Sequence, residues 1–400
     1  MYIQKDNRMN QEVGIIKSIL DNDLYKFTQQ QAVVELYQRE SVKYDFINRG
    51  KTTFPDKFDL RLRQELKMME QLFLKESESN FLTKKCGRYL KPTYIDLLKS
   101  YRYDSSEIEI TQNSGELAIT ITGYWYRTIL WEVPLLALIS ELYFIMTDKP
   151  IYSRKQRLKN NIDKGIKFYE NKVKVADFGT RRRYSYANHL EVVQDLLSVS
   201  DDGISFMVGT SNVHIAMVTG IHPIGTHAHE WISGIAALKG YSYANKNMMD
   251  DWIKVYQGEL GIALTDTFGY DAFLKDFTTF YAKLFDGVRH DSGDPFLFTE
   301  KIVHHYKSLG IDPISKTIVF SDGLNSNLAI ELKKYCKDVG IKCSFGIGTH
   351  FTNDVGIEAL NIVIKMIAIN GRHVVKLSDV KDKETGDVDT VELVKRMVSY

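Results

Sequence analysis

VKVADFGTRRR, residues 173–183, is a short apolar run that ends in a cluster of glycine, hydroxyl and charged residues. The same punctuation returns as VGTSN (208–212), GTHAHEW (225–231), LTDT (264–267), RHDSGDP (289–295), FSDG (320–323) and FGIGT (345–349). Amphipathic helical stretches separate most of these clusters, so the region reads as strand, loop, helix, repeated. In parallel α/β folds the loops at the carboxyl ends of the strands carry the chemistry, and in barrels they converge on one mouth. Seven polar clusters at such positions imply one shared site.

Outside this region the texture changes. Residues 15–37 and 58–73 show helical periodicity, and residues 107–122 alternate as EIEI, TQNSGE and LAITIT, a β-hairpin turning around Asn113, Ser114 and Gly115. The most apolar stretch, residues 129–146, is interrupted by Glu132, Pro134 and Glu141, which marks a buried helix and not a membrane span. Residues 153–171 form a basic helix with few apolar positions, suited to an outer, solvated face. After Thr349 the sequence NIVIKMIAI, Asn370-Gly371, RHVVKLSD reads as a second hairpin through an Asn-Gly turn. The expected organisation is an α+β domain at 1–150, completed by 355–400, and an α/β barrel at 151–354 carrying most of the active site.

Four hundred residues suggest two domains, and 44% hydrophobic residues suffice for both cores. Lys+Arg 52 against Asp+Glu 51 leaves a formal charge of +1, so no global field points to nucleic acid or an anionic membrane. The cysteines, Cys86, Cys336 and Cys343, are odd in number and unevenly spaced, which argues for a reducing compartment and against a disulfide framework or a metal-binding motif. The polar start, MYIQKDNRMN, lacks the apolar core of a signal peptide, and the cytoplasm is the expected location.

Individual clusters suggest chemistry without fixing it. FGIGT sets Gly346 and Gly348 around one residue, with the Thr349 hydroxyl next; backbone amides there suit a phosphate, although a tight turn would read the same. RHDSGDP is rich in turn formers, but it follows a strand end, where Arg beside acidic groups suits a sugar diol next to a carboxylate or phosphate. His290 itself reads as structural. In DFGTRRR, Phe178 offers a ring face, and Arg181, nearest the strand end, is the arginine expected to face inward. GTHAHEW carries two histidines two apart, and no third metal ligand with suitable spacing accompanies them, so general base, nucleophile and satisfied polar residue all stay open.

Taken in order, the clusters resemble nicotinate phosphoribosyltransferase. LDNDLYK (20–26), ILWEVPLLALISE (129–141), DFGTRRR, GTHAHEW, GIALTD (261–266), RHDSGDP, SKTIVFSD (315–322), FGIGT and NIVIK (361–365) stand in that family's order and near its spacing. The resemblance implies an incomplete, irregular TIM-like α/β barrel with a second α+β domain, working as a homodimer with shared active sites. It also implies condensation of nicotinate with 5-phosphoribosyl 1-diphosphate to nicotinate mononucleotide and diphosphate, a salvage step of NAD biosynthesis. ATP would be a co-substrate acting through a phosphohistidine, with Mg²⁺ arriving on substrate phosphates and no prosthetic group.

By the same resemblance His229 is the histidine that ATP phosphorylates, and Asp291 is the carboxylate that grips the ribose hydroxyls. Thr226 and Arg289 hold nicotinate, Arg289 pairing with its carboxylate, while Phe178 and Tyr25 sandwich the pyridine, Tyr25 coming from the partner subunit. Gly346, Gly348 and Thr349 match the 5-phosphate cradle, Arg181 a contact to diphosphate, and Thr210, Ser321 and Asp322 further substrate contacts. Glu230 either orients the His229 ring or simply starts a helix, and His227 departs from the glutamine common in bacterial members. Nicotinamide phosphoribosyltransferase carries an aspartate where Ser211 stands, so serine favours the acid substrate. Quinolinate phosphoribosyltransferase lacks the phosphohistidine motif, and a non-enzymatic relative would not need His229, Arg289 and Asp291 together.

Overall fold

The computed structural model describes residues 14–200, 205–377 and 384–398; the N-terminal MYIQKDNRMN and residues 378–379 of the second hairpin lie outside them. The strands are β1 (Ser41–Asn48), β2 (Ile108–Asn113), β3 (Glu116–Tyr124), β4 (Val175–Asp177), β5 (Met207–Thr210), β6 (Ile262–Leu264), β7 (Gly287–His290), β8 (Thr317–Phe320), β9 (Lys342–Ile347), β10 (Ile362–Ile369) and β11 (Arg372–His373). They form two sheets, a parallel one in the order β5-β4-β9-β8-β7-β6 and an antiparallel one in the order β11-β10-β1-β3-β2.

The parallel sheet is an α/β barrel that does not close. Its edge strands β5 and β6 are not paired, and the chain at 222–227 runs through the gap. On one side Thr210 N–H donates to His222 O (3.1 Å) and Ile224 N–H to Thr210 O (2.8 Å). Pro223 between them has no N–H to extend a ladder. On the other side a side chain replaces backbone: His227 Nε2 accepts the Leu264 N–H of β6 at 3.1 Å. Six of the clusters do follow a strand, but GTHAHEW does not; it follows this irregular segment and leads into the helix His229–Lys239.

Both hairpins turn as their sequences demand. Ser114 and Gly115, with φ of +49° and +83°, join β2 to β3, and Asn370 and Gly371, at +49° and +72°, join β10 to β11. Left-handed residues at both turn positions match the strand twist. The alternation buries Ile108, Ile110, Leu117, Ile119 and Ile121 on one face of β2 and β3, each contributing about 1.5–3 kcal/mol. β10, from the far end of the sequence, pairs antiparallel with β1 in the register Val42↔Ile369 to Asn48↔Ile362.

Helix formation at the N-terminus starts later than periodicity suggests, at Leu24 and not near residue 15. The polar run before it is consumed by other bonds: Asn22 Oδ1 accepts Asp23 N–H (2.9 Å), and the fully buried Asp21 carboxylate takes both Arg183 Nη1 (2.6 Å) and Nη2 (2.8 Å). The helical stretch Trp125–Thr147 is long and apolar enough to cross a membrane by length and composition, yet 78% of its apolar window is packed inside the protein. Trp125 and Trp231 lie 6.1 Å apart and Trp231 and Trp252 5.6 Å apart, which ties this region to the helix His229–Lys239. The helix Arg154–Glu170 is mostly exposed, with Asn161, Lys164, Gly165 and Phe168 on its buried face.

Candidate active site

A cavity of about 360 Å³ lies between the barrel mouth and the antiparallel sheet. The barrel side supplies Arg181, Arg182, His229, Arg289, Asp291, Ser321 and Asp322; the sheet and its extension supply Tyr44, Arg49, Lys365 and Lys376; Tyr25 and Glu132 complete the wall.

The end of β7 is braced from three directions. Arg289 donates from Nε to Ser321 Oγ (2.7 Å), from Nη1 to Thr226 Oγ1 (2.7 Å) and from Nη2 to Asp291 Oδ1 (2.9 Å). The Ser321 hydroxyl, from the loop after β8, also reaches Asp291 Oδ1 at 2.7 Å. Burial alone would raise the Asp291 carboxyl, but the Arg289 guanidinium with the His229 and Ser321 contacts holds it well below the usual carboxylate range. Asp291 is therefore an anion at the cavity wall.

His229 opens its helix, and the side chain of Gln29 caps the preceding turn by accepting Ala228 N–H at 3.0 Å. A helix N-terminus favours an added negative charge. The ring Nε2 lies 3.1 Å from Asp291 Oδ2 and 3.6 Å from Asp266 Oδ1, Lys376 Nζ donates to it over 3.0 Å, and Nδ1 lies 3.1 Å from Thr267 Oγ1. Burial, with Lys376 beside it, pushes His229 down to about 4 against the pull of Asp266 and Asp291. The imidazole is thus neutral near pH 7, with a lone pair to offer. His229, Asp266 and Asp291 could together hold a metal ion. Lys376 already places an ammonium among them, 3.3 Å from Asp266 Oδ2, so the trio fits a bound cation poorly as a dedicated metal cage.

Over residues 173–400 the sequence matches the nicotinate phosphoribosyltransferase (NAPRTase) family, and over residues 20–140 the NAPRTase N-terminal domain. The chain belongs to the nicotinate phosphoribosyltransferase family. It is 49% identical to the nicotinate phosphoribosyltransferase of Desulforapulum autotrophicum, over 93% of this chain and 96% of the relative, and 45% identical to that of Methanosarcina acetivorans, over 96% and 98%. Among solved structures, the Porphyromonas gingivalis nicotinate phosphoribosyltransferase superposes with a TM-score of 0.93 at 41% identity, covering 96% of this chain and 100% of that one. A putative nicotinate phosphoribosyltransferase from Saccharomyces cerevisiae gives 0.92 at 37% identity, covering 97% and 99%.

Within this nicotinate phosphoribosyltransferase fold the motif residues separate into three groups. Tyr25, Arg181, His229, Arg289, Asp291, Ser321 and Asp322 line the cavity. Thr226 and Thr210 stand behind them: Thr226 is bonded to Arg289, and the buried Thr210 donates to Asp177 Oδ2 at 2.5 Å, beside His189. Phe178, Gly346, Gly348 and Thr349 form a separate corner at the ends of β4 and β9. A Cβ on Gly346 would sit 2.3 Å from the Phe178 ring, so this glycine makes room for the aromatic side chain, a need that its sequence context did not show.

Tyr25 lines the cavity of its own chain. Leu24 N–H donates to Ser211 O (2.8 Å), a Cβ on Gly225 would come within 3.0 Å of Tyr25 N, and the Asp21–Arg183 pair fastens the segment below. Its hydroxyl is buried and has no hydrogen-bond partner among the described residues. The Ser211 hydroxyl donates to Asp23 Oδ1 at 2.7 Å, so a carboxyl group occupies that corner even without an aspartate at 211; burial raises the Asp23 pKa and lowers its charge.

Several cavity residues escaped the sequence reading: Tyr44, Arg49, Glu132, Lys365 and Lys376, with Asp266 behind His229. The Lys365 ammonium makes no ion pair or hydrogen bond among the described residues, and burial with Lys376 nearby pushes it down to about 8. Glu230 does not orient the His229 ring; its carboxylate turns away, accepting Tyr44 OH (2.5 Å), Trp125 Nε1 (2.8 Å) and Lys26.

Proposed function

We propose that this cavity condenses nicotinate with 5-phosphoribosyl 1-diphosphate, giving nicotinate mononucleotide and diphosphate, and that ATP hydrolysis drives the reaction through a phosphorylated His229. The observation that carries the reading is one cavity holding both a neutral histidine at a helix N-terminus and the cations Arg49, Arg181, Arg182, Lys365 and Lys376. Such a ring of charge suits a substrate with several phosphates.

A ring nitrogen of His229 attacks the γ-phosphorus of ATP; the N–P bond forms as the P–O bond to ADP breaks, and ADP leaves with the electron pair. In the second reaction the C1–O bond of the ribose breaks, its pair leaving with diphosphate, while the pyridine nitrogen forms the C1–N bond. Positive charge develops at C1, and the Asp291 anion holds the ribose hydroxyls beside it. Water then cleaves the N–P bond, releasing phosphate and restoring His229. Mg²⁺, held on the substrate phosphates beside Arg49, Arg181 and Arg182, would supply further neutralisation of the diphosphate charge. Arg289 meets the nicotinate carboxylate by exchanging one of its present partners, the Tyr25 ring flanks the pyridine, and Ser321 and Asp322 serve the phosphoribosyl group; Phe178, Gly346, Gly348 and Thr349 shape the ends of β4 and β9 beside the cavity lining, with Thr210 braced on Asp177 behind it.

The chain is read as a cytoplasmic enzyme of two domains, 1–150 with 355–400 and 151–354, and a homodimer of it would hold each site within one chain. Mononucleotide formation from nicotinate or nicotinamide, each with and without ATP, tests the reading. Nicotinate turnover that ATP accelerates is expected; equal use of both bases, or no ATP effect, would overturn it.

A further inference from the structure

Lys26 belongs to no motif role described above, yet its side chain is completely buried and joins two carboxylates. Its ammonium bonds Glu230, the residue after His229, and lies 2.6 Å from Glu132 Oε2. The other oxygen of Glu132 holds Arg181 Nη1 at 3.3 Å, and the ammonium stands 5.6 Å from the ring centre of the adjacent Tyr25. Glu230 is in turn fixed by Tyr44 and Trp125, so it cannot follow Lys26 elsewhere. One buried cation thus links the helix that carries His229 to both Tyr25 and Arg181.

The charges of this group balance while His229 is neutral: Lys26 and Arg181 against Glu132 and Glu230. A phosphoryl group on His229 adds negative charge one residue from Glu230, and the balance then favours keeping Lys26 on Glu230. Arg181, whose side chain is 40% exposed and whose hold on Glu132 is one long contact, is the member free to turn toward a phosphate in the cavity. Resting on the reading above, we infer that Lys26 is a positioning residue that transmits phosphorylation of His229 to the Tyr25–Arg181 wall, and so couples ATP to tight binding of the phosphoribosyl donor. Coupling of this kind acts by differential affinity between two states of the enzyme.

The test compares the KM for 5-phosphoribosyl 1-diphosphate with and without ATP, together with ATP consumed per mononucleotide formed. In the wild type ATP should lower that KM by about tenfold. Lys26→Met should still phosphorylate His229, lose most of the fall in KM and consume several ATP per product, while Lys26→Arg restores coupling. A Lys26→Met enzyme with the full ATP effect overturns the inference alone; a wild type with no ATP effect overturns the proposed function as well. Because Lys26→Met leaves two buried carboxylates facing each other, a second measurement uses the wild type itself. Amide hydrogen exchange across residues 24–36 and 178–182 should change when ATP phosphorylates His229, with His229→Asn as the unphosphorylated control. Unchanged exchange in both segments overturns the relay.

Discussion

The barrel mouth and the antiparallel sheet face each other across the cavity, but they bring different chemistry. From the barrel come groups locked to one another: Arg289, Asp291, Ser321 and Thr226 share short bonds within one loop cluster. From the sheet and its extension come Arg49, Lys365 and Lys376, of which Lys365 makes no ion pair among the described residues. The barrel is preorganised, with its hydrogen bonds made before any ligand arrives. On the sheet side Lys376 is spent on His229 and Asp266, but Lys365 holds charge in reserve for a ligand to satisfy. Substitutions on the barrel side should therefore damage both structure and chemistry, whereas those on the sheet side should show mainly in substrate affinity.

The largest effect is expected at His229. His229→Asn should abolish acid-labile phosphorylation and reduce ATP hydrolysis by about 10³-fold or more, leaving slow ATP-independent synthesis. Labelled phosphate that persists on this variant would move the nucleophile elsewhere. Because the folded pKa is depressed to about 4, wild-type phosphorylation should persist as pH falls below 6 and fade only as the ring protonates near 4. Loss at pH 6.5 would mean that the ring titrates normally.

Arg289→Ala comes next. It strips the guanidinium from Asp291, Ser321 and Thr226 at once, and truncating one partner of such a hydrogen-bonded charge pair costs about 2 to 5 kcal/mol. Nicotinate turnover should fall by that factor, and thermal stability should fall with it. A purely kinetic defect, with the melting temperature unmoved, would contradict the picture of a braced barrel mouth.

Lys365→Met probes the other side. The KM for 5-phosphoribosyl 1-diphosphate should rise by about tenfold with little change in stability, since a lost charge-assisted contact is worth about 1.5–3 kcal/mol. The wild type carries a free-enzyme pKa near 8, so its kcat/KM should decline as pH rises through 8 and the ammonium is lost, a break absent from the variant. An unchanged pH profile would remove Lys365 from phosphate binding.

These two sides also differ in how readable they were. The barrel clusters show in sequence because each sits where an apolar run stops, and six of them do end strands. Lys365 was hidden by its own regularity. In NIVIKMIAI it occupies the polar beat of an alternating strand, which normally faces water; here that face of β10 lines the cavity. Lys26 was hidden in a buried helix, Lys376 lies beyond a strand end that carries no glycine-hydroxyl cluster, and Arg49 opens such a cluster, RGKTT (49–53), outside the repeating region. The GTHAHEW cluster was legible as chemistry but misplaced as architecture, because no local pattern reveals that a barrel strand is missing. The position of Tyr25 at the cavity was not legible, because its sequence distance from the barrel says nothing of the Leu24–Ser211 and Asp21–Arg183 bonds that bring it there.

Tyr25→Ala should lower kcat/KM for nicotinate about fivefold, the worth of a lost aromatic stack of roughly 1 kcal/mol. Mixing it with His229→Ala protein sharpens the point. If both residues serve the same chain's cavity, no reassociated mixture gains activity, because neither chain contains an intact site. Recovery upon proven subunit exchange would return Tyr25 to a partner's site.

The smallest expected effect, at His227, discriminates best between chemistry and architecture. It stands two residues from the proposed nucleophile, yet its Nε2 is spent on the Leu264 N–H across the barrel gap, and burial, with Arg289 and His229 near, pushes it down to about 3. It is neutral and fully buried, so it carries no proton in the reaction. What the position requires is an acceptor for one edge-strand amide. Glutamine offers its Oε1 for the same bond, so His227→Gln should change neither turnover nor ATP hydrolysis and move stability by less than about 0.5 kcal/mol. His227→Leu keeps the bulk but strands the amide, at about 1–3 kcal/mol of stability. If leucine is tolerated as well as glutamine, the gap between β5 and β6 is not held by this bond; if glutamine abolishes phosphorylation, the second histidine of the pair belongs to the chemistry after all.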